Sequence, residues 1–441
     1  MIMMPNRRWA RGVRSTCDSN RIRMHNPDSS FMISDGLNAA VDLMRSPSGT
    51  PGDLPSVLPE SGVGDMLALE MLSGHVLGKA APLSAPTSLA HMDPPTPWIT
   101  WAMALWDASL NQNMLHEMTS PFATQAEARV MSWLTPYFGM QGGHFCSGST
   151  IANLTGIWAA RDAVGVKTVV TSEAAHLSVD KACRLLGLEL VKVPVDSLGR
   201  LDRELPPDLD DACLVLTAGT TATGSIDLLD IIGAARWTHV DAAWAGPLRL
   251  SPAHAAKLDG IDGADSVAVS AHKWLFQPKD SALVMFRELE AANAAISFGG
   301  GYLAKPNVGV QGSRSAAAIP LLATLLAWGR EGLAQRLDRL MEVAESLADA
   351  IEASEHLELW GRPQTAINVF RPVDRRTDAF VEALPAGMLS KCVLDGETWA
   401  RSVAANPSVD IDSVIESVRA ASRDWRAHGR EGAGPGESIF R

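Results

Sequence analysis

The chain of 441 residues is 46% hydrophobic, enough to fill the core of two domains, and its formal net charge of -12 argues against a nucleic-acid partner, whose phosphates would repel it. No apolar run reaches the ~18 residues that a membrane-spanning helix needs. The five cysteines, Cys17, Cys146, Cys183, Cys213 and Cys392, are scattered without CxxC or metal-ligand spacing, which suits buried thiols in a reducing cytoplasm and no metal site.

In chain order, Arg7, Arg8, Arg11, Arg14, Arg21 and Arg23 crowd the opening, and Pro, Ser and Gly dominate from Ser46 to Gly64. No apolar h-region follows the paired arginines, which rejects an export signal. A disordered or flexible leader over 1–60, or an over-extended start, is expected; an organelle transit segment is the compositional alternative. A helical segment over 61–86 precedes a large domain over 87–300. A smaller C-terminal domain follows over 301–427, its stretch 301–318 lying at the junction. The Gly-rich tail, 428–441, reads as disordered.

Strand, loop and helix alternate between Thr87 and Arg287. The expected strands are Thr168–Thr171, Leu188–Val193, Ala212–Leu216, Trp237–Val240, Ser266–Val269 and Ala282–Phe286. Most are short runs rich in Val, Leu and Ile without polar alternation, as in a parallel sheet covered on both faces. Helices over Thr150–Val164 and Val179–Leu186 intervene, so the domain is α/β and layered. Trp98, Trp101 and Trp106, near helical spacing, are read as core. Beyond Ile319, two helices (Ile319–Gly329 and Leu333–Ala353), β-like pieces at Thr365–Phe370 and Ser390–Leu394, and a closing helix over Asp410–Trp425 make a small α+β unit.

Two motifs carry the chemistry. Thr238-His239-Val240-Asp241-Ala242-Ala243-Trp244 ends one strand on a carboxylate, and Ser270-Ala271-His272-Lys273-Trp274 ends the next on a lysine. In an open parallel sheet both belong at the carboxyl edge, where active sites lie. The pairing suits pyridoxal 5′-phosphate (PLP): the amine condenses with the aldehyde, and the carboxylate keeps the pyridine nitrogen protonated so that the ring accepts electrons from a bond broken at Cα.

Other segments fit the same site. Gly142 to Thr150 leads into a helix and reads either as a phosphate cradle or as an ordinary Gly/Ser turn with a helix cap. His176, after a strand, could stack on a pyridine ring and move a proton, or be a hydrogen-bonded surface residue. The hydroxyls of Thr217, Thr220 and Thr221 could fix a substrate carboxylate or ring oxygen, or simply satisfy a turn. Arg314 reads equally as a carboxylate clamp and as half of an ion pair. A substrate wall is expected from His91, from Asn111 and Asn113, and from Phe122. The two asparagines suit a polar side chain, although a solvated helix end is the plainer reading, and a small acidic or polar amino acid is favoured over an aromatic one.

These residues resemble the group II PLP-dependent amino-acid decarboxylases, which include glutamate, aromatic-amino-acid and archaeal-type tyrosine/aspartate enzymes. The match runs through Gly148-Ser149, His176 with Ser178 and Lys181, Gly219-Thr220-Thr221, His239 to Ala243, and His272-Lys273-Trp274. Gly301-Tyr302-Leu303, Gly312-Ser313-Arg314 and Gly329-Arg330-Glu331-Gly332 extend it, so that it spans Ser84 to Trp425. The resemblance implies a type I aminotransferase-like fold, α/β with a mostly parallel sheet, and an obligate homodimer acting on a small-molecule L-amino acid. It implies an internal aldimine at Lys273, a quinonoid intermediate and release of carbon dioxide. Asp241 would pair the pyridinium, while Ala243 and His176 pack the ring. Gly148, Ser149, Ser270 and His272 would hold the phosphate, with Ser313 of the partner subunit. Many members protonate Cα with a tyrosine on a long loop. Here the corresponding connection is short and holds only Tyr302, leaving His176, Lys273, Tyr302 or a group from the other subunit as donor. Aldehyde formation with oxygen, transamination, other lyase chemistry and a non-catalytic PLP-binding homologue are the alternatives.

Overall fold

The computed structural model describes residue 30, residues 35–45 and residues 53–428, with side chains through residue 423. The Arg-rich opening and the tail beyond residue 428 lie outside the described residues. The chain divides into two units, Met1–Ala81 and Pro82–Arg441. The first contains α1 (Gly36–Arg45) and α2 (Asp65–Val76). Helix α1 corrects the expectation of an unstructured leader at that position: Leu37, Val41 and Met44 recur at helical spacing on one face.

The second unit opens with α3 (Trp98–Leu110) and α4 (Pro121–Leu134), then β1 (Gly142–Cys146), α5 (Ser149–Val164), β2 (Thr168–Ser172), α6 (Leu177–Leu186), β3 (Glu189–Val193) and β4 (Ala212–Thr217). It continues through β5 (Trp237–Asp241), β6 (Ser266–Val269), β7 (Ala282–Phe286), α7 (Leu289–Ala295) and the small hairpin of β8 (Ser297–Phe298) and β9 (Asn307–Val308). Each expected strand between residues 168 and 286 is present within one residue of its expected bounds. Their order in the seven-stranded sheet is β1-β7-β6-β5-β4-β2-β3, with β7 antiparallel to both neighbours and every other pairing parallel. Strands β4 to β7 are buried along their whole length, which is why they lack the polar alternation of a half-exposed strand.

Strand β1 was not expected, because Gly142 and Gly143 read as loop. A Cβ on Gly143 would lie 2.0 Å from the Val284 carbonyl oxygen of β7, so the glycine is there for close strand approach.

Helix α8 (Ala318–Glu352) joins the two expected helices across a kink at Gly329, whose φ of 62° only glycine adopts without strain. A four-stranded antiparallel sheet follows, ordered β10-β11-β13-β12: β10 (Leu357–Leu359), β11 (Ile367–Pro372), β12 (Ser390–Leu394) and β13 (Glu397–Val403). Helices α9 (Thr377–Glu382) and α10 (Ile411–His428) complete the unit. Trp244 and Trp274, both buried, pack with ring centroids 4.2 Å apart. Each removes on the order of 200 Å² from water, worth about 5 kcal/mol before the entropy of ordering it. Their indole N–H groups donate to Thr365 Oγ1 and to the Ala404 carbonyl, each at 3.2 Å, and so tie the large sheet to the C-terminal layer.

The α3 tryptophans are a correction. Trp98, Trp101 and Trp106 are 68%, 50% and 59% exposed, and only Thr100 of that helix is buried. Helical spacing marks an apolar face without saying what covers it.

Candidate active site

Asp241 ends β5 and is 4% exposed. Its Oδ1 accepts the Ala243 N–H at 3.1 Å, and its Oδ2 accepts Asn153 Nδ2, from α5, at 2.7 Å. The same amide nitrogen donates to Ser178 Oγ at 2.9 Å, and that hydroxyl lies 2.8 Å from His176 Nδ1. His176 caps α6, its Nδ1 accepting the Ser178 N–H at 3.2 Å. On the other side, His239 Nε2 lies 3.1 Å from Asn153 Oδ1, and His239 Nδ1 lies 2.8 Å from Ser266 Oγ. Burial pushes the His239 imidazole down to about 4, against the opposing pull of Asp241.

Lys273 follows β6 on a loop anchored by buried Trp274 and by the Phe276 N–H, which donates to the Lys273 carbonyl at 2.9 Å. Phe276 sits at φ 58°, a left-handed conformation costing roughly 1–2 kcal/mol for a bulky side chain, and its burial holds it there. Burial lowers the Lys273 pKa; Asp241 and Asp93 oppose the shift, while Lys279 and Arg401 reinforce it. The amine therefore gives up its proton more readily than an ordinary lysine, as a nucleophile must. Neighbouring His272 is also depressed to about 4, by burial first and then by Lys279 and Lys273.

Around these groups are polar atoms that nothing in the described chain satisfies. Thr217 Oγ1 at the end of β4, Ser172 Oγ at the end of β2 and Ser270 Oγ just past β6 are buried without a partner. Such an orphan costs about 1–3 kcal/mol, so three at one sheet edge point to a polar ligand. Gly148, at φ 143°, precedes the first turn of α5, and a Cβ there would lie 3.6 Å from His272 Cε1. The helix start thus offers backbone N–H groups beside a histidine and serines. A carboxylate, a lysine amine of lowered pKa, unsatisfied hydroxyls and a helix N-terminus together fit PLP: ring nitrogen, aldehyde, ring oxygen and phosphate each have a complement.

Residues 83–373 match the model of the pyridoxal-dependent decarboxylase conserved domain. The chain belongs to this family. It is 30% identical over 421 residues to the L-2,4-diaminobutyrate decarboxylase of Rhizobium meliloti, across 84% of this chain and 85% of that protein. It is 29% identical over 385 residues to the aspartate 1-decarboxylase of Aliivibrio fischeri, across 74% and 70% of the two chains. The crystal structure of Oryza sativa TDC with PLP and tryptamine superposes with a TM-score of 0.79 at 19% identity, over 91% of this chain and 99% of that one; this likeness is one of fold. The protein is a PLP-dependent carboxy-lyase of the type I PLP fold that decarboxylates an L-amino acid.

The decarboxylase brings Gly148, His272, Asn153, His176 and Asp241 to one edge of the sheet, with Lys273 within the electrostatic reach of Asp241 and His176. Ala243 is buried beside Asp241. The outer residues sit otherwise. Asn113 Nδ2 donates to Ser313 Oγ at 3.0 Å within the chain, and Asn111 caps α3 in a left-handed conformation. His91 and Phe122 are exposed. Tyr302 is 74% exposed, edge-on to His116 with centroids 6.2 Å apart. Arg314 makes a bidentate pair with Glu127, both bonds at 2.7 Å, which resolves its two readings in favour of an ion pair.

Sequence reasoning missed Asn153 and Arg401. Arg401 of β13 donates to the Thr221 carbonyl at 2.8 Å, to Ser390 Oγ at 3.1 Å and to the Ala90 carbonyl at 3.4 Å, and pairs with no carboxylate among the described residues. An arginine inside a strand gives no local signal. Only the fold brings its charge near Lys273.

Proposed function

We propose that Lys273 holds the cofactor covalently and that Asp241 accepts a hydrogen bond from the ring nitrogen. His176 and Ala243 pack the ring, and Gly148, Ser149, Ser270 and His272 receive the phosphate, joined by Ser313 of the partner subunit. When bound, PLP supplies an aldehyde that condenses with amines and a ring that draws electrons from a bond broken at Cα. The chain's own groups do the rest. Burial keeps the Lys273 amine able to shed its proton. Asp241, held by two hydrogen bonds, cannot turn away from the ring. Thr217 Oγ1 is an unsatisfied hydroxyl placed for the ring oxygen or the substrate carboxylate. The observation that carries this reading is the lysine of depressed basicity within reach of a carboxylate fixed at the next strand end.

The substrate is a short L-amino acid with a polar side chain, preferentially acidic. Asp241 is engaged by the cofactor and Asp93 by Lys279. That leaves Arg401, acting on Lys273, and Lys181, acting on His176, as cations without a carboxylate partner among the described residues. Arg401 receives a substrate carboxylate. Tyr302, Lys273 and His176 are the candidate donors of the proton to Cα. The enzyme works as a homodimer: Trp98, Trp101, Leu105, Trp106 and Leu110 form an apolar stripe on α3 that a monomer would leave wet. The large domain spans 87–300 and the small one 301–427, in keeping with a seven-stranded sheet inside the first range and a four-stranded sheet inside the second. The free thiols Cys146, Cys183, Cys213 and Cys392 suit the cytoplasm. No helix among the described residues is long and apolar enough to cross a membrane.

The test has two parts. The wild-type protein with PLP shows the visible absorbance of a lysine-bound cofactor, and Lys273→Ala lacks it. Carbon dioxide release is then followed across aspartate, glutamate, cysteine sulfinate, 2,4-diaminobutyrate, tyrosine and tryptophan, with amine and aldehyde products separated. Fastest turnover of an aromatic substrate refutes the substrate class; aldehyde with ammonia in place of amine refutes simple decarboxylation.

A further inference from the structure

The buried polar groups behind Asp241 form a single connected chain, and its hydrogen positions can be assigned. A carboxylate only accepts, so the Asn153 atom 2.7 Å from Asp241 Oδ2 is the amide nitrogen. The same nitrogen faces Ser178 Oγ, which must accept there and so turns its own proton toward His176 Nδ1. That direction agrees with the Ser178 backbone N–H, which also donates to Nδ1. Asn153 Oδ1 therefore faces His239 Nε2, which must carry a proton. A neutral imidazole then has Nδ1 as acceptor, which takes the Ser266 hydroxyl proton, and this leaves Ser266 Oγ to accept from the Trp237 indole at 2.9 Å. The far end closes consistently, since an indole N–H can only donate. The chain lies in the interior except at its His176 end, which is half-buried: His239, Ser178 and Ser266 are fully buried and Asn153 nearly so. Gly156 makes the room, since a Cβ there would sit 2.5 Å from the His239 ring.

We propose that Asn153 is a positioning residue that locks the Asp241 carboxylate and the His176 imidazole together. The chain Trp237–Ser266–His239 holds its amide in one orientation, so that His176 in its neutral form keeps its proton on Nε2. Asn153 has one N–H for each partner, so neither end can reorient without breaking the other. The consequence reaches both faces of the cofactor site. Asp241 keeps one oxygen directed by Asn153 and the other by the Ala243 N–H, while His176 offers a donor, not an acceptor, at its free nitrogen. This inference rests on the reading of Asp241 as partner of the ring nitrogen. The groups around Asn153 that carry or exchange charge are Asp241, His176 and His239, with Lys273 and Lys181 acting on His176.

A variant-free measurement comes first. Nitrogen-15 spectra of histidine-labelled wild-type protein at pH 8 are expected to show His176 and His239 each as a single Nε2–H tautomer; an Nδ1–H signal for either overturns the assignment. The second measurement uses Asn153→Asp, which keeps the shape but replaces the double donor with an acceptor, and Asn153→Leu, which removes both donors. At pH 8 both are expected to bind PLP about ten- to a hundred-fold more weakly than wild type, the size of loss that removing an outer-shell partner causes at metal sites. Asn153→Asp alone regains affinity toward pH 6, where its new carboxyl can take a proton and donate again. In both variants the Ser178 hydroxyl loses the amide that directs it, so the His176 Nδ1 resonance shifts although the Ser178 backbone N–H keeps that nitrogen an acceptor. Asn153→Asp binding PLP within threefold of wild type at both pH values, with His176 unchanged, defeats the proposal. Wild type that binds no PLP at all defeats the site reading instead, so the two failures are distinguishable.

Discussion

His239 makes the decarboxylase acid-sensitive in a way that can be worked out from its surroundings. The ring is fully buried between α5 and the sheet, and burial lowers its pKa from 6.5 to about 4, with Asp241 opposing. The unfolded chain takes up a proton near 6.5, whereas the native state refuses it until about 4. The folded-state value is depressed, so the stabilisation is complete above the unfolded value and is lost as pH falls toward the native one. The full shift corresponds to about 3 kcal/mol, of which about 2 kcal/mol has gone by pH 5.

The perturbation is His239→Gln, which keeps an N–H for Asn153 Oδ1 and removes the titration. Urea unfolding of both proteins at pH 8 and pH 5, with saturating PLP, isolates the difference. His144 and His272, also depressed to about 4, lose stability equally in both and cancel. The variant is less stable at pH 8, because its side chain does not fill the ring's place. Its loss on going to pH 5 should be about 2 kcal/mol smaller than that of wild type. Acid losses that agree within about 0.5 kcal/mol would mean that His239 titrates in the native state as it does in the unfolded chain, and a variant that loses more than wild type would mean that the native imidazole is already charged; either result defeats the burial argument.

Three further outcomes follow from the same geometry. Gly156→Ala drives a Cβ to 2.5 Å from the His239 ring and should destabilise the fold by about 1–3 kcal/mol, read as a lowered urea midpoint. Arg314→Met leaves Glu127 buried without its bidentate partner and should cost about 3–5 kcal/mol in chemical denaturation; a loss under about 1 kcal/mol would show that water reaches the pair. The double variant Trp101→Asp with Leu105→Asp puts charge on the exposed α3 stripe and, on the proposed homodimer, should convert dimer to monomer in sedimentation and lower PLP affinity by removing the contact proposed for Ser313 of the partner subunit.

The strands were legible because a sheet covered on both faces buries every position, and β4, β6 and β7 are mostly apolar runs without alternation, although β5 carries Thr238 and His239. Asp241 and Lys273 were legible only as a pair: a carboxylate at one strand end and a lysine just beyond the next suit pyridoxal phosphate together, where either alone is commonplace. Strand β1 failed on Gly142 and Gly143, which mimic a loop although the structure uses Gly143 to bring backbones together. The α3 tryptophans failed because amphipathic spacing is the same whether the apolar face meets a core or a second molecule.

The network behind Asp241 was invisible for a stricter reason. Asn153 meets Ser178 of α6 across 25 residues of sequence, and His239 and Asp241 of β5 across 86 and 88. A polar residue on the buried face of α5 looks like an error of amphipathicity until its partners are known, and its partners look the same. Each would be costly alone, since a buried amide or imidazole without a hydrogen bond destabilises by a few kcal/mol. They are tolerable only as a set in which every donor finds an acceptor. Such a set therefore breaks as a unit: removing Asn153 strands His239, Ser178 and Asp241 at once. Double-variant cycles between Asn153→Leu and His239→Gln should accordingly show strong non-additivity in PLP affinity, whereas two unconnected packing defects would add.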